Sequence, residues 1–298
     1  MTDAADARPV VVGIDGSDSG VSAAQWAAAL AAALGTSLHL MHSDSTAGSF
    51  ISDAAVIAVR AAATADRHAD AQQILAQAQT AVRQRFPALQ VTSEVVSEPA
   101  DVALIRRSRT ARFVVTAGED VSRAAALLLG STTLTVATRA ECPVVAWRGT
   151  AAPTTAAVVV GVAFGDADSE ALATAFTLAE MFAAPVTAVH AWSTTRSVDH
   201  ATVPYLIDWD AVERNETRGL RTAVQPWAER HPDVEVRYVV DIAKPSRALL
   251  DRLADAQLVV VATHRSNALA AALLGSTTLN LLHHSPVPVV VCQTPNHP

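Results

Sequence analysis

From Val10 onward the apolar positions come in short blocks rather than in strict alternation. Val10 to Asp15 is a continuous β-branched run, the pattern of a parallel strand buried on both faces. Ser17 to Ser19 offer helix caps, and the Ala/Leu stretch behind them predicts a helix to Leu34, ended by Gly35. Further strands are expected at Leu38 to His42, Val91 to Val96, Phe113 to Ala117 and Val144 to Trp147. The helices between them are Asp53 to Arg85 (stopped by Pro87), Ala100 to Arg109 and Ser131 to Ala140. The remainder of the chain repeats the scheme. Strands are expected at Val158 to Val162, Val186 to Trp192, Val234 to Val240, Leu258 to Thr263 and Val289 to Cys292. Helices are expected at Ser169 to Ala183, Asp208 to Arg230, Ser246 to Ala254 and Thr277 to His284. Strands separated by helices mean βαβ units, and hence a parallel sheet wound by helices on both faces.

The two halves are copies of one unit. Leu128-Leu129-Gly130-Ser131-Thr132-Thr133-Leu134 recurs letter for letter as Leu273-Leu274-Gly275-Ser276-Thr277-Thr278-Leu279, 145 residues later. Pro143-Val144-Val145 recurs at the same offset as Pro288-Val289-Val290. Near the start of each copy the offset is 148, which pairs Val10-Val11-Val12-Gly13 with Val158-Val159-Val160-Gly161, and His42 with His190. Chance likeness of Ala/Val-rich segments fails against seven identical residues followed by a matching Pro-Val-Val. The expected fold is therefore α/β: two Rossmann-like, doubly wound, five-stranded parallel sheets made by tandem duplication. The domains are expected at 1–149 and 155–298, with Arg148 to Thr155 as linker. Val144 to Trp147 and Val289 to Cys292 come last in each half, so they are candidate edge strands whose mutual pairing would make an intramolecular pseudo-dimer.

Composition narrows the function classes. The 298 residues are 50% apolar and 17% charged, enough for two cores and too uncharged for a disordered chain. Lys and Arg number 22 against 29 Asp and Glu, and Lys244 is the one lysine. A net charge of −7 without a basic run argues against nucleic-acid binding, which needs clustered cations. Two cysteines, Cys142 and Cys292, make no disulfide framework. Met1 to Pro9 has neither a basic nor an apolar leader segment, and no apolar run reaches the roughly 20 residues of a bilayer span. A cytoplasmic protein that does not bind membranes is expected.

In an open α/β sheet, ligands bind beyond the carboxyl ends of the strands. Asp15, Gly16 and Ser17 end the first strand, Ser43 follows the second, and Ala117 to Asp120 follow the fourth. Gly130-Ser131-Thr132-Thr133 opens the last helix of the half. Glycine lets a phosphate reach the backbone, and a helix N-terminus presents unpaired N–H groups. Asp15 is suited to accept from a ribose hydroxyl or an adenine amine. The plainer alternatives are a turn or cap role for Asp15 and a serine-capped helix start for Gly-Ser-Thr-Thr. The histidines lack zinc-site spacing, and no nucleophile elbow or P-loop lysine is present, so no metal or catalytic residue is assigned. Trp192, Trp209 and Trp227 are expected to pack the core or the long helix of the second half.

Three segments carry a family resemblance: Val11-Val12-Gly13-Ile14-Asp15-Gly16-Ser17, Leu128-Leu129-Gly130-Ser131 and Ala140-Glu141-Cys142-Pro143-Val144-Val145, with their second-half counterparts. The chain resembles the tandem universal stress proteins of actinobacteria. The resemblance implies strand order 3-2-1-4-5 in each domain and a non-enzymatic stress-response role. It also implies ATP binding through an aspartate after the first strand and a G-x2-G-x9-G-[ST] pattern after the fourth.

The sequence departs from that pattern. The two early glycines are replaced by Ala117 and Asp120 in the first half and by Ala262 and Arg265 in the second, and Ala163 stands where the second aspartate would be. Glu119 and Asp120 would repel phosphates unless Mg²⁺ or Arg123 compensates. In the second half Gly275, Ser276 and Thr277 remain, with His264 and Arg265 nearby, a set suited at most to a small anion. The alternatives are a nucleotide-independent scaffold that forms a homodimer or docks an unknown protein partner, and an ATP-hydrolysing enzyme of the adenine-nucleotide α-hydrolase-like group.

Overall fold

The computed structural model describes residues 7–45, 54–117, 131–150, 152–165, 168–192, 208–263 and 274–293, with backbone alone for 54–65. The chain divides between Pro153 and Thr154 into two units. In the first, strands β1 (Val10–Gly13), β2 (Leu38–Ser43), β3 (Val91–Val96), β4 (Phe113–Ala117) and β5 (Val144–Trp147) alternate with helices α1 (Asp18–Ala33), α2 (Ala54–Arg85), α3 (Ala100–Ser108) and α4 (Ser131–Arg139). In the second, β6 (Ala157–Gly161), β7 (Val186–Trp192), β8 (Val236–Ile242), β9 (Ala256–Thr263) and β10 (Val289–Gln293) alternate with α5 (Asp168–Met181), α6 (Trp209–Arg230), α7 (Pro245–Leu250) and α8 (Ser276–His284).

Each unit is a parallel sheet of order 3-2-1-4-5: β3-β2-β1-β4-β5 in the first and β8-β7-β6-β9-β10 in the second. Val12 pairs Leu40 on one side and Val115 on the other, as Val160 pairs Ala188 and Val260. The continuous apolar runs have the burial they predict. Val10, Val12, Val114, Val115, Val158, Val160, Val259 and Val260 have no exposed surface. Helices cover both faces, and alanine lets them lie close: Ala23, Ala24, Ala27, Ala28 and Ala31 of α1 are all fully buried.

Most element bounds fall within two residues of those expected, and two of the differences have a visible cause. β8 begins at Val236 rather than Val234 because the Val234 N–H turns back to the His231 carbonyl at 3.1 Å. α7 stops at Leu250 rather than Ala254, since Arg252 and Leu253 donate to residues three back, which closes turns instead of a fourth helical residue pair. Trp192 and Trp209 stack with ring centroids 6.0 Å apart, joining the end of β7 to the start of α6. Both cysteines are buried, and burial pushes the Cys142 thiol up to about 12, which removes its nucleophilic form at neutral pH. No helix among the described residues is long and apolar enough to cross a membrane.

Equivalent helix ends expose a cost. α1 ends with Gly35 at φ 65, the left-handed geometry glycine adopts freely. The position 148 residues later is Ala183, held at φ 49. Left-handed backbone costs a residue with a Cβ roughly 1–2 kcal/mol. Ala183→Gly is therefore expected to stabilise the second unit by about 1 kcal/mol, read as a higher urea midpoint.

A polar cluster ties β2, β3 and α3. His39 Nδ1 lies 2.9 Å from Thr92 Oγ1 and its Nε2 is 3.4 Å from Glu94, which is also paired with Arg107. Burial, then the Arg107 charge, holds His39 below its ordinary 6.5. For Glu94 burial acts upward, but the bond to Arg107 and the charges of Arg107 and His39 outweigh it and keep the carboxyl below 4.5. The folded state therefore prefers neutral His39 and ionised Glu94. Their contribution is complete above pH 6.5 and is lost as pH falls, first through His39 and then through Glu94. The urea midpoint is expected to drop between pH 7.5 and 5.5, and His39→Gln should flatten that drop.

Candidate functional site

The carboxyl ends of β1, β2 and β4 converge with the start of α4. Together they line a cleft of about 150 Å³ formed by Gly13, Ile14, Asp15, Met41, Ser43, Ala100, Leu104, Thr116, Ala117 and Ser131 to Thr133. That is below the roughly 300–1,000 Å³ of pockets that enclose a whole small molecule. Asp15, Ser43, Ser131 and Thr132, which the sequence singles out from three separate segments, all reach it.

The turn between β1 and α1 is organised by its own side chains. Asp15 Oδ1 accepts from the Ser17 N–H at 3.0 Å and from its hydroxyl at 2.6 Å. Ser17 Oγ in turn accepts from the Gly20 N–H at 3.0 Å and is the N-cap of α1. The turn reading and the ligand reading of Asp15 are thus compatible: the exposed carboxylate buttresses the cap while lining the cleft. Gly16 does not line it. Its φ of 90 needs glycine, and a Cβ there would stand 3.0 Å from Ile74 Cδ1. Below the turn, His42 Nδ1 lies 2.6 Å from the Ile14 carbonyl. A carbonyl only accepts, so the proton sits on Nδ1, and the imidazole pegs the end of β1 to β2.

Ser43 is less free than its position suggests, since its hydroxyl donates to the Glu98 carbonyl at 2.7 Å. Ser131 is the first residue of α4, exposed at the cleft, and Thr132 is half-buried beside it. Thr133 turns inward, where its hydroxyl donates to Thr116 Oγ1 at 3.2 Å. Thr116, Met41, Ala100 and Leu104 were not legible as site residues. Thr116 alone left a signal, as the hydroxyl that interrupts the apolar run of β4. Gly130, Glu119, Asp120 and Arg123 lie outside the described residues.

The second unit carries the same frame with different contents. His190 Nδ1 meets the Val162 carbonyl at 2.8 Å, repeating the histidine peg. Ala163 leaves the position of Asp15 without a carboxylate. Gly275 is the N-cap of α8, without a side-chain cap bond, so Ser276 is the first helical residue and not the cap. The capped-start reading of Gly-Ser-Thr-Thr is corrected there: a serine inside the helix has passed the position from which it could cap. Ser276 is exposed and Thr277 half-buried. His264 and Arg265 lie outside the described residues. Among the described residues no group of three or more His, Cys, Asp or Glu could hold a metal ion.

A sequence profile described as the universal stress protein family matches residues 7–148 and 155–293, once in each unit. The chain belongs to the universal stress protein family. It is 32% identical to a universal stress protein of Mycobacterium tuberculosis over 95% of this chain and 96% of the other. A universal stress protein of Mycolicibacterium smegmatis is 28% identical over 98% and 99%. Among solved structures, a universal stress protein from Archaeoglobus fulgidus has a TM-score of 0.71 at 15% identity, covering 97% of each chain, a likeness of fold.

Replacing Ser17 by Ala removes the cap of α1 and one of the two bonds that fix Asp15. A loss of about 1 kcal/mol in unfolding free energy is expected by denaturant titration.

Proposed function

We propose that this universal stress protein has a regulatory, non-enzymatic role in which the first unit binds an adenine nucleotide and the second does not. With domains at 1–149 and 155–298, the nucleotide contacts assigned are Asp15, Ser43, Gly130, Ser131 and Thr132, with Gly16 acting behind Asp15 rather than on the ligand. The observation that supports the reading is the convergence of Asp15, Ser43, Ser131 and Thr132 on one cleft at the carboxyl edge of the sheet. In this reading Asp15 takes the ribose or base, and the first N–H groups of α4, which have no partner inside the helix, take phosphate oxygens. Gly16 contributes the left-handed turn that presents Asp15. Met41, Leu104 and Gly13 supply the apolar wall.

The small cleft leaves much of a nucleotide in solvent, and the sequence puts two acidic residues, Glu119 and Asp120, in the segment that follows β4. Both favour weak binding that Mg²⁺ strengthens by screening that charge. In the second unit Ala163 offers no carboxylate, so Gly275, Ser276 and Thr277 are left at most a small anion.

Calorimetric titration of the full chain with ATP, with and without magnesium, tests this. One site per chain is expected. Asp15→Ala should weaken it about 10- to 100-fold, the size of a lost bond to a charged group. Asp120→Gly should tighten it. No heat under either condition for the wild-type protein and for Asp120→Gly would reject the nucleotide reading in favour of a scaffold that docks a protein partner.

A further inference from the structure

The two units solve the turn after the first strand with different residues. In the first, Gly20 is buried in α1, and a Cβ added to it would stand 2.6 Å from Asp15 Oδ1. Carbon and oxygen do not approach so closely without a shift, so Asp15 in its observed place excludes a side chain at position 20. The residues 148 later are Ala163 and Asp168. The pair is inverted: carboxylate and small residue in the first unit, small residue and carboxylate in the second. The histidine pegs show that this offset aligns the turns in space, since His42 and His190 each meet the carbonyl just before the pair's first member.

Asp168 uses its carboxylate inward. It is 7% exposed, and one oxygen, Oδ2, accepts from the N–H of Ala163 at 2.8 Å and of Gly165 at 3.0 Å. Gly165 stands at the position of Ser17, whose N–H Asp15 holds in the first unit. The same backbone group is therefore held by a carboxylate coming from the loop in one unit and from the helix in the other. At the position of Gly16 stands Phe164, kept at φ 60 although a bulky side chain disfavours that region. Its ring stacks on His190 with centroids 4.0 Å apart. The imidazole is closed further by Glu216, 3.4 Å from Nε2. The hydroxyl of Thr116 is also lost, because the residue at its place in β9 is Val261.

We infer that Asp168 has taken over the turn-holding work of Asp15 without its exposed carboxylate, and that Phe164 covers the histidine peg, so that the second unit keeps the turn and gives up recognition of a ribose or base. This rests on the proposed contact between Asp15 and nucleotide. Asp15 does two jobs, holding a turn and facing a ligand, and the second unit retains the first job alone.

The two jobs separate in a double-mutant cycle on the full chain, read by urea unfolding and by ATP calorimetry. Asp15→Ala and Gly20→Asp should each lower the folding equilibrium constant of the first unit about fivefold or more, one by losing the turn bond and the other by collision. Together they should restore it to near wild type while ATP binding stays at the level of Asp15→Ala. A double variant no more stable than the weaker single would overturn the equivalence of the two carboxylates. A double variant that binds ATP like wild type would overturn the separation of the jobs. If the wild-type chain itself binds no ATP, the functional reading fails, and with it the recognition half of the inference, while the stability cycle still decides the exchange. For the cover, Phe164→Gly should speed acylation of His190 by diethylpyrocarbonate, followed by peptide mass mapping. An unchanged rate would show that the ring shields nothing.

Discussion

A parallel strand at the centre of a sheet has no wet face, and everything else in this protein follows from meeting that constraint twice. β1 and β6 are paired on both edges and covered on both faces, so their valines lie at or near zero exposure. Every apolar residue there is committed to packing. At roughly 25 cal/mol per Å² of apolar surface this burial is the main favourable term, and it leaves the strand interiors unable to carry polar chemistry. The first place where the backbone emerges from the core is the carboxyl end of the strand. Asp15 stands two residues past β1 and Ala163 two past β6. Chemistry collects at these turns because the sheet excludes it elsewhere.

A turn at that place must be held, since it sets where the first helix begins and how its face meets the sheet. Each unit uses two devices. A histidine on the neighbouring strand donates to the first carbonyl past the strand, and a carboxylate accepts from the backbone of the turn. The histidine needs one position, because the strand register fixes it, and His42 and His190 occupy it in both units. The carboxylate needs only to arrive within hydrogen-bond reach. It can come from either side of the turn, and the two units use opposite sides. Duplication removes the need for both copies to do the same thing, and the device with geometric freedom is the one that diverged.

Much of this was legible in the sequence because the signals were local. Continuous β-branched runs, the Ser17 cap, Gly35 and Pro87 fixed most element bounds to within a residue or two, and the repeated heptapeptide revealed the duplication. The candidate site was legible as far as segments that end strands or open helices, which placed Asp15, Ser43, Ser131 and Thr132. Its apolar wall was not. Met41 and Leu104 look like any core residue, and only tertiary packing aims them at a cleft. Ser43 shows the converse: a hydroxyl in the right place whose donor is spent on Glu98, a partner 55 residues away that no local pattern indicates. Asp168 was hidden for a third reason. An acid at the start of a helix reads as ordinary support for the helix dipole. Its relation to Asp15 appears only when Gly20 is seen to sit against that carboxylate.

Strain points the same way. Two positions that are left-handed glycines in the first unit, Gly16 and Gly35, correspond to Phe164 and Ala183 in the second, and both keep positive φ. The backbone path was retained while the residue that made it easy was lost. At Ala183 the left-handed residue closes the helix end, with the Ala184 N–H on the Ala179 carbonyl at 2.8 Å as Thr36 bonds Ala31 in the first unit, so the cost is set against a helix cap. At Phe164 the ring gains a stack on His190 and lies against Gly219, where an added Cβ would meet its edge at 3.2 Å. Gly219 in the middle of α6 thus makes room for Phe164, at the roughly 1 kcal/mol that glycine costs a helix interior. Two unfavourable choices, one in a turn and one in a helix 55 residues on, are explained by a single aromatic ring seated between them. A mere loss of the exposed carboxylate from this turn would have required neither. The second turn has been rebuilt around its phenylalanine, and its divergence from the first is construction rather than decay.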